Sequence, residues 1–142
     1  QHGVAQNSCG SAEFLGTFCG DTNCGPLCSS SNIVPAALRT GNRARWFRVR
    51  LSDCSTSCNS SLSHTIRLVS PTGINYDLYV HLPCGTVVGS ATNPSGTLDQ
   101  VILTRPDNNS VDDSADYWIE VRYQSGQSCS TWQLTVDARD CS

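Results

Sequence analysis

The sequence lacks several features that define other classes of protein. Lysine and methionine are absent, so all 9 basic residues are arginine, and only 15% of the 142 residues are charged. No apolar run approaches the roughly 20 residues that a transmembrane helix requires. The net charge of −3 gives no general attraction to nucleic acids or anionic membranes. We therefore expect neither nucleic-acid nor membrane partners, and no coiled coil or disordered tail.

Motifs of the common enzyme classes are also missing. The sequence contains no G-x-S-x-G, no H-E-x-x-H and no glycine-rich phosphate loop, and we predict that the chain is not an enzyme. A small secreted hydrolase with a site around Asp77, His81 and a serine remains the alternative, because geometry rather than motif defines a catalytic triad. The simpler interpretation makes Asp77 and His81 polar strand residues.

Cysteine, by contrast, is abundant, with 9 in the chain. In a small chain rich in serine, glycine and asparagine this predicts disulfides, an oxidising compartment and a secreted protein. We expect Cys54 to pair with Cys58 and Cys84 with Cys129. The first 28 residues would hold two bridges, or one bridge and a second to Cys141. The odd cysteine would be free, or would bond another chain or another part of a parent protein.

Zinc is the alternative for Cys19, Cys24 and Cys28, which are near metal-ligand spacing. No histidine follows at a finger-like distance and no second CxxC occurs, so disulfides are favoured. No signal peptide is recognisable, and the chain begins at Gln1 rather than Met. We interpret this as a processed protein or an excised domain.

Alternating side chains predict an all-β domain. Residues 1–35 read as loops, with a possible helical turn at 34–38, but from Arg45 onward polar and apolar residues alternate. Strands are predicted at 46–51, 64–68, 76–82, 98–103 (stopped by Arg105-Pro106), 117–123 and 131–136, with a short strand or turn at 85–90. Short strands separated by turns indicate an antiparallel β-sandwich or jelly roll. We expect one domain over residues 1–142, with a cysteine-rich extension at 1–38 packed on a sandwich at 45–137.

The order of these segments resembles a known family. WFRVRL is followed by HTIRLVSPTG, YDLYV, LDQVILTRP, DYWIEVRYQSG and WQLTV, which is similar to the bacterial pre-peptidase C-terminal domain family, including its collagen-binding-type modules. The resemblance implies a non-catalytic jelly roll beside the catalytic domain of an exported hydrolase, binding in some cases an insoluble substrate or calcium. The cysteine-rich first 35 residues and the lack of an acidic stretch before the first strand depart from that pattern. LVSPTG is also similar to the jelly-roll P domain of subtilisin-like convertases.

Two predicted strands place aromatic and charged residues on their outward faces, where exposed rings stack on sugars or partner side chains. The candidate ligand-binding residues are Trp46, Arg48, Arg50, Trp118, Glu120 and Arg122. The alternative is that the N-terminal segment covers both tryptophans and that Arg48 and Glu120 form an ordinary cross-strand pair.

Charge is unevenly distributed along the chain. Residues 39–50 contain five arginines and no acid, and residues 107–116 contain four aspartates and no base. The arginines indicate either an anionic polymer as ligand or a solvated strand edge balanced by the acidic loop. The acidic loop has the oxygen donors that calcium prefers, and the candidate metal ligands are Asn109, Asp112, Asp113 and Asp116.

The sequence therefore predicts a non-catalytic, carbohydrate- or protein-binding accessory module of a secreted bacterial hydrolase. Its partners would be a polysaccharide or another insoluble extracellular polymer, and an adjacent catalytic domain. The absence of lysine, typical of a GC-rich coding sequence, favours a bacterial source. A structural extracellular module, tied to a partner by the odd cysteine, is the remaining alternative.

Overall fold

Eleven strands and one 3-10 turn make up the part of the chain that the structure describes. This computed structural model describes residues 8–24, 29–54, 60–108 and 110–141. The 3-10 turn is Cys9–Ser11, and the strands are Glu13–Cys19 (β1), Asn23–Cys24 (β2), Ser29–Ser30 (β3), Asn32–Gly41 (β4), Arg45–Ser52 (β5), Ser60–Val69 (β6), Ile74–His81 (β7), Val87–Ala91 (β8), Leu98–Asp107 (β9), Ala115–Gly126 (β10) and Trp132–Asp140 (β11). No helix within these ranges is long and apolar enough to cross a membrane.

Two main sheets pack face to face, as the sequence predicted. One has five strands in the order β1-β5-β10-β7-β8, the other has four in the order β4-β11-β6-β9, and β2 and β3 form a small separate hairpin. The β-sandwich is confirmed, but it is not wholly antiparallel, because β1 runs parallel to β5. Parallel pairing requires a long connection, and here the chain from β1 passes through the small hairpin and β4 before it returns as β5.

The core lies between the two sheets and follows the predicted alternation. Phe47, Val49 and Leu51 of β5 are fully buried, as are Tyr117 and Ile119 of β10. Burial of each such side chain is worth about 1.5–3 kcal/mol. The end of β10 departs from the prediction. Its Tyr123 is 36% exposed, because the strand pairing shifts register just beyond it and such irregularities bend a strand away from its sheet.

Trp132 of β11 anchors the other sheet in this core. Its ring meets that of Phe47 edge-on, with ring centres 6.1 Å apart. The indole nitrogen, which needs a hydrogen-bond partner when it is buried, donates to the carbonyl oxygen of Arg43 at 2.9 Å. Leu134 and Val136 of the same strand also face this core, as the alternation along 131–136 leads one to expect.

The N-terminal region is more regular than its composition suggested. The predicted helical turn at 34–38 is wrong: these residues lie in β4, which pairs with β11. The predicted end of the extension at residue 38 also falls inside this strand. As an edge strand β4 tolerates Pro35, because the missing N–H need not serve a second neighbour, and the register shift between Val136 and Asp137 lies opposite this residue. The segment thus adds one edge strand to each sheet.

Strand β9 likewise continues past Arg105-Pro106, where the sequence predicted that it would stop. Its pairing with β6 extends to Asp107, opposite Ser60. Strand β9 is at the edge of the four-stranded sheet, where proline costs no hydrogen bond to a second strand. The extension places Asp107 at the end of a strand rather than in a solvated loop.

A buried histidine attaches β1 to the sandwich. His64 Nδ1 lies 2.8 Å from the Tyr117 hydroxyl, and its Nε2 lies 3.1 Å from the carbonyl oxygens of both Phe18 and Cys19. Burial lowers the pKa of His64 to about 4, although its bonds to the two carbonyls act in the opposite direction. The neutral imidazole therefore joins the end of β1 to both sheets.

Within the described residues, three disulfides connect the N-terminal region to distant parts of the chain, namely Cys9–Cys84, Cys19–Cys54 and Cys24–Cys141. The predicted bridge to Cys141 is confirmed. The Cys54–Cys58 and Cys84–Cys129 predictions are wrong, because Cys54 and Cys84 bond N-terminal cysteines, and Cys9, Cys19 and Cys24 all bond cysteines beyond residue 28. Cys28 and Cys58 lie outside the described residues. Cys129 is free and exposed, and zinc binding by Cys19 and Cys24 is excluded by their disulfides. Such bridges fit an oxidising compartment.

Candidate functional site

The predicted ligand-binding residues share the outer face of the five-stranded sheet. We call Trp46, Arg48, Arg50, Trp118, Glu120 and Arg122 the aromatic–arginine face. In the pairing of β5 with β10, Trp118 lies opposite Arg48 and Glu120 opposite Trp46. Because directly opposed side chains on one sheet face are neighbours, the structure brings the predicted residues together on one surface.

Two arginines of this face stack on aromatic rings. The guanidinium carbon of Arg48 lies 4.2 Å from the ring centre of Phe14 on β1. That of Arg122 lies 3.8 Å from the ring centre of Tyr79 on β7. Stacking leaves the edge of the guanidinium plane, with its N–H donors, directed outward. Phe14 and Tyr79 were missed in the sequence, since only the register of β1 and β7 places them beside these arginines.

Ion pairs hold the arginines in place. Arg48 and Arg50 each donate one hydrogen bond to Asp116, at 2.8 and 3.0 Å. The prediction that Arg48 pairs with Glu120 is wrong. Asp116 lies opposite Arg50 in the pairing of β5 with β10, and it accepts a hydrogen bond from each of the two arginines. Side chains of Arg48 and Arg50 remain 35% and 42% exposed, and a guanidinium group has five donor N–H groups. Each arginine therefore keeps donors for a ligand.

Glu120 is the centre of a second polar group on this face. It accepts two hydrogen bonds from Arg122, at 2.7 and 2.9 Å, and lies 3.0 Å from His81 Nε2. Burial by itself raises the pKa of Glu120, but the bonds from Arg122 and His81 outweigh it, and the pKa is lowered. The ring of Trp46 lies 4.7 Å from that of His81, so the tryptophan packs against this group.

Both tryptophans are half-buried. They are therefore neither fully exposed nor fully covered, which were the two alternatives drawn from the sequence. The Trp118 indole nitrogen is buried and has no hydrogen-bond partner among the described residues. The disulfide to Cys84 holds Cys9 beyond the end of β7. A few residues later the chain enters β1, which is separated from β7 in the sheet by β5 and β10. The segment before β1 therefore passes from the end of β7 to β1, across the width of β10 and β5.

The residues of the enzyme alternative do not meet. Asp77 and His81 are four residues apart on β7, about 13 Å along a strand. His81 contacts Glu120, whereas Asp77 accepts a hydrogen bond from Asn75 at 3.3 Å. In the described residues no serine hydroxyl is hydrogen-bonded to His81, and its Nδ1 has no partner. These contacts give the residues structural roles.

The acids predicted to bind calcium do not form one cluster. Asp116 is paired with two arginines, Asp112 accepts hydrogen bonds from Ser114, and Asp113 accepts them from Asn108. Asn109 lies outside the described residues. Local turns and arginines thus engage the described acids of this set one by one, and calcium binding by the set stays a prediction.

A different acidic cluster lies beside that loop. Oxygen atoms of Asp21, Asp53 and Asp107 all lie within 4.8 Å of one another. Asp21 follows β1, Asp53 follows β5 and Asp107 ends β9, so three strand ends meet there. Asp21 and Asp107 are 0% and 2% exposed. Sequence reasoning missed this cluster, because β1 was not predicted and β9 was predicted to stop before Asp107.

The electrostatics of this cluster are unusual for a protein surface. Burial raises the pKa of Asp107 to about 6, and the charges of Asp53, Asp21 and Asp113 add to the effect. Both oxygens of Asp107 and Oδ1 of Asp53 are buried without a hydrogen-bond partner in the described part of the chain. Neither Asp53 nor Asp107 takes part in an ion pair formed by described residues.

The outer face of the four-stranded sheet has a different chemistry. Leu38 and Ile102 are 53% and 59% exposed. A shallow groove of about 360 Å³ runs beside Leu38 and is lined also by Arg67 and Thr135. Arg67 is paired with Asp137 at 2.6 Å. This apolar face was not predicted as a site, because exposed leucine or isoleucine on one strand carries no signal by itself.

Comparisons with known proteins support the fold. No family model and no curated protein sequence matches this chain. Among solved structures, the pre-peptidase C-terminal domain of a collagenase from Bacillus anthracis is similar, with a TM-score of 0.54 and 10% sequence identity. The match covers 88% of this chain and 93% of that one. The resemblance seen in the sequence is thereby confirmed at the level of the fold.

Proposed function

We propose that this chain is a non-catalytic accessory module of a secreted hydrolase and that it binds an insoluble extracellular polymer. The fold similarity to a domain of a collagenase favours an adjacent catalytic domain and a protein substrate. The disulfides fit an extracellular location. A polysaccharide remains the second candidate ligand, because aromatic rings beside arginines suit sugars and uronates as well.

The observation that carries this proposal is the arrangement of the aromatic–arginine face. Arginines stacked on aromatic rings and fixed by Asp116 and Glu120 extend across neighbouring strands, rather than around a pocket. Their orientation is fixed before binding, so little side-chain entropy is lost when a ligand accepts hydrogen bonds from them. An open surface of this kind suits an extended polymer.

A matched pair of variants tests the face. Arg48 and Arg67 each lie on an inner strand, are 35% and 40% exposed, and pair with an aspartate on a neighbouring strand, but they lie on opposite sheets. We expect Arg48→Ala to weaken binding to fibrillar collagen or to alginate about tenfold, the loss of one charge-assisted contact. Arg67→Ala leaves binding unchanged.

Sedimentation with the insoluble polymer measures both variants, with cellulose and chitin as further test polymers. Loss of binding in Arg67→Ala alone would place the site on the outer face of the four-stranded sheet and contradict the proposal. Cleavage of peptide or ester substrates by the purified chain would contradict its non-catalytic part. Loss of collagen binding together with retained alginate binding in Arg48→Ala would separate the two candidate ligands.

A further inference from the structure

We propose that Asp21, Asp53 and Asp107 bind a calcium ion. None of these three residues is among the candidate metal ligands predicted from the sequence, although Asp107 is the first residue of the acidic stretch, and the site is separate from the aromatic–arginine face. The ion would join the N-terminal segment and both sheets at one end of the sandwich.

The spacing of the oxygens fits this ion. Calcium takes oxygen ligands at 2.3–2.6 Å in flexible geometry, so two of its ligands are at most about 5 Å apart. One oxygen from each aspartate lies within 4.8 Å of the others. Magnesium demands shorter distances and a near-ideal octahedron, and it keeps most of its water. Oxygen-only donors likewise disfavour zinc, which prefers nitrogen and sulfur ligands.

The burial of the acids is the second, independent observation. Asp107 is 2% exposed and both of its carboxylate oxygens have no partner among the described residues. A buried carboxylate without a partner is strongly unfavourable, because burial removes its hydration and nothing replaces it. The charged groups that act most strongly on Asp107 are Asp53, Asp21 and Asp113, all of them acids. A bound cation supplies the missing charge and the missing partners at once.

The other two aspartates are already oriented. The backbone N–H of Cys54 donates to Asp21 Oδ2 at 2.6 Å, and that of Asp113 donates to Asp53 Oδ2 at 3.0 Å. Asp53 Oδ1 is buried and has no described partner. Cys54 is itself bonded to Cys19. These bonds fix two ligands before the ion arrives, which reduces the entropy lost on binding.

Calcium titration of the purified chain, freed of metal with EDTA, tests the site. Binding is measured by calorimetry and by thermal unfolding. At a calcium concentration about 100 times Kd, we expect the melting temperature to rise by roughly 5–10 °C, because the ion binds only the folded chain. Magnesium chloride at the same concentration gives a smaller rise. No heat and no thermal shift with calcium, or an equal shift with magnesium, would overturn the assignment.

Two variants locate the ion. Asp107→Asn keeps the shape of the side chain and removes one charged ligand, so calcium affinity falls at least tenfold. Asp112→Asn, in the exposed acidic loop, leaves affinity unchanged and is the matched control. Asp53→Asn replaces the first variant if that one does not fold. Unchanged affinity in the Asp107 and Asp53 variants, or lost affinity in the Asp112 variant, would contradict the proposed site.

Discussion

The N-terminal segment and the later strands belong to one sandwich, but different forces hold them. In the described residues up to Gly41, the buried side chains are those of Asp21 and Cys24, whereas every strand of the core from β5 onward except β8 buries apolar residues. Each of the three disulfides that the described residues form has one partner in the N-terminal segment. Where the chain has little apolar surface to bury, covalent and polar links replace the core.

The largest effect is expected from a matched pair of phenylalanines. Phe47 is fully buried, whereas Phe14 on the neighbouring β1 is 45% exposed. Phe47→Ala should lower the free energy of unfolding by about 3–5 kcal/mol through lost burial and a cavity. Phe14→Ala should cost less than about 1 kcal/mol. Urea unfolding measures both, and equal losses would contradict the contrast between the two regions.

The disulfide of the N-terminal hairpin should have the next largest effect. Cys24 and Cys141 are separated by 117 residues, and removal of a native disulfide, which restricts the unfolded chain, typically costs about 2–5 kcal/mol. Cys24→Ser combined with Cys141→Ser should lower stability by that order. Cys129→Ser, at the free exposed cysteine, is the control and should have no effect. An unchanged melting temperature in the double variant would contradict the covalent role.

Lowering the pH should reduce the stability that His64 provides by bonding to the end of β1. The pKa of His64 in the folded chain is about 4, below its usual 6.5, so the unfolded chain takes up the proton first. Neutral His64 contributes about 3 kcal/mol to the free energy of unfolding. This contribution is fully present above pH about 6.5 and is lost as the pH falls toward 4. The difference between wild type and His64→Gln isolates this group from carboxyls that titrate nearby. An equal pH dependence in both proteins would contradict it.

The smallest effect is expected at the start of β1. Glu13 pairs with Arg39 at 2.8 Å and with Arg45 at 2.6 Å, which links β1 to β4 and β5. Because all three side chains are partly exposed, Glu13→Gln should cost about 1 kcal/mol or less. The effect should weaken further in salt. A loss above about 2 kcal/mol in urea unfolding would show that this pair, rather than His64, holds β1.

The sandwich was predictable because strands β5, β7, β10 and β11 alternate clearly between apolar and polar residues. The N-terminal strands were missed because β1 and β4 are edge strands with little apolar alternation, and Pro35 reads as a break. The aromatic–arginine face followed from side-chain alternation, but its partners did not. Whether Arg48 pairs with Glu120 or Asp116 depends on strand register, which a sequence does not give.

Long-range convergence explains the wrong disulfide pairings and the missed cluster of three aspartates. Cys54 was assigned to its neighbour Cys58, although its partner is 35 residues away. The acids of the loop were grouped for the same reason, since they are close in sequence. Asp21, Asp53 and Asp107 meet only because three strands end at the same point of the sandwich. Proximity in sequence is a poor guide where the contacts of a fold are mostly non-local.

The three tryptophans offer the most direct measurement of the binding face. Trp46 and Trp118 lie on the aromatic–arginine face, whereas Trp132 is buried in the core and donates its indole N–H to Arg43. Their indole N–H signals are followed by NMR while the chain is titrated with a triple-helical collagen peptide or alginate oligosaccharides. The account predicts saturable shifts for Trp46 and Trp118 with Trp132 unmoved. Binding that leaves the first two signals unchanged would contradict it.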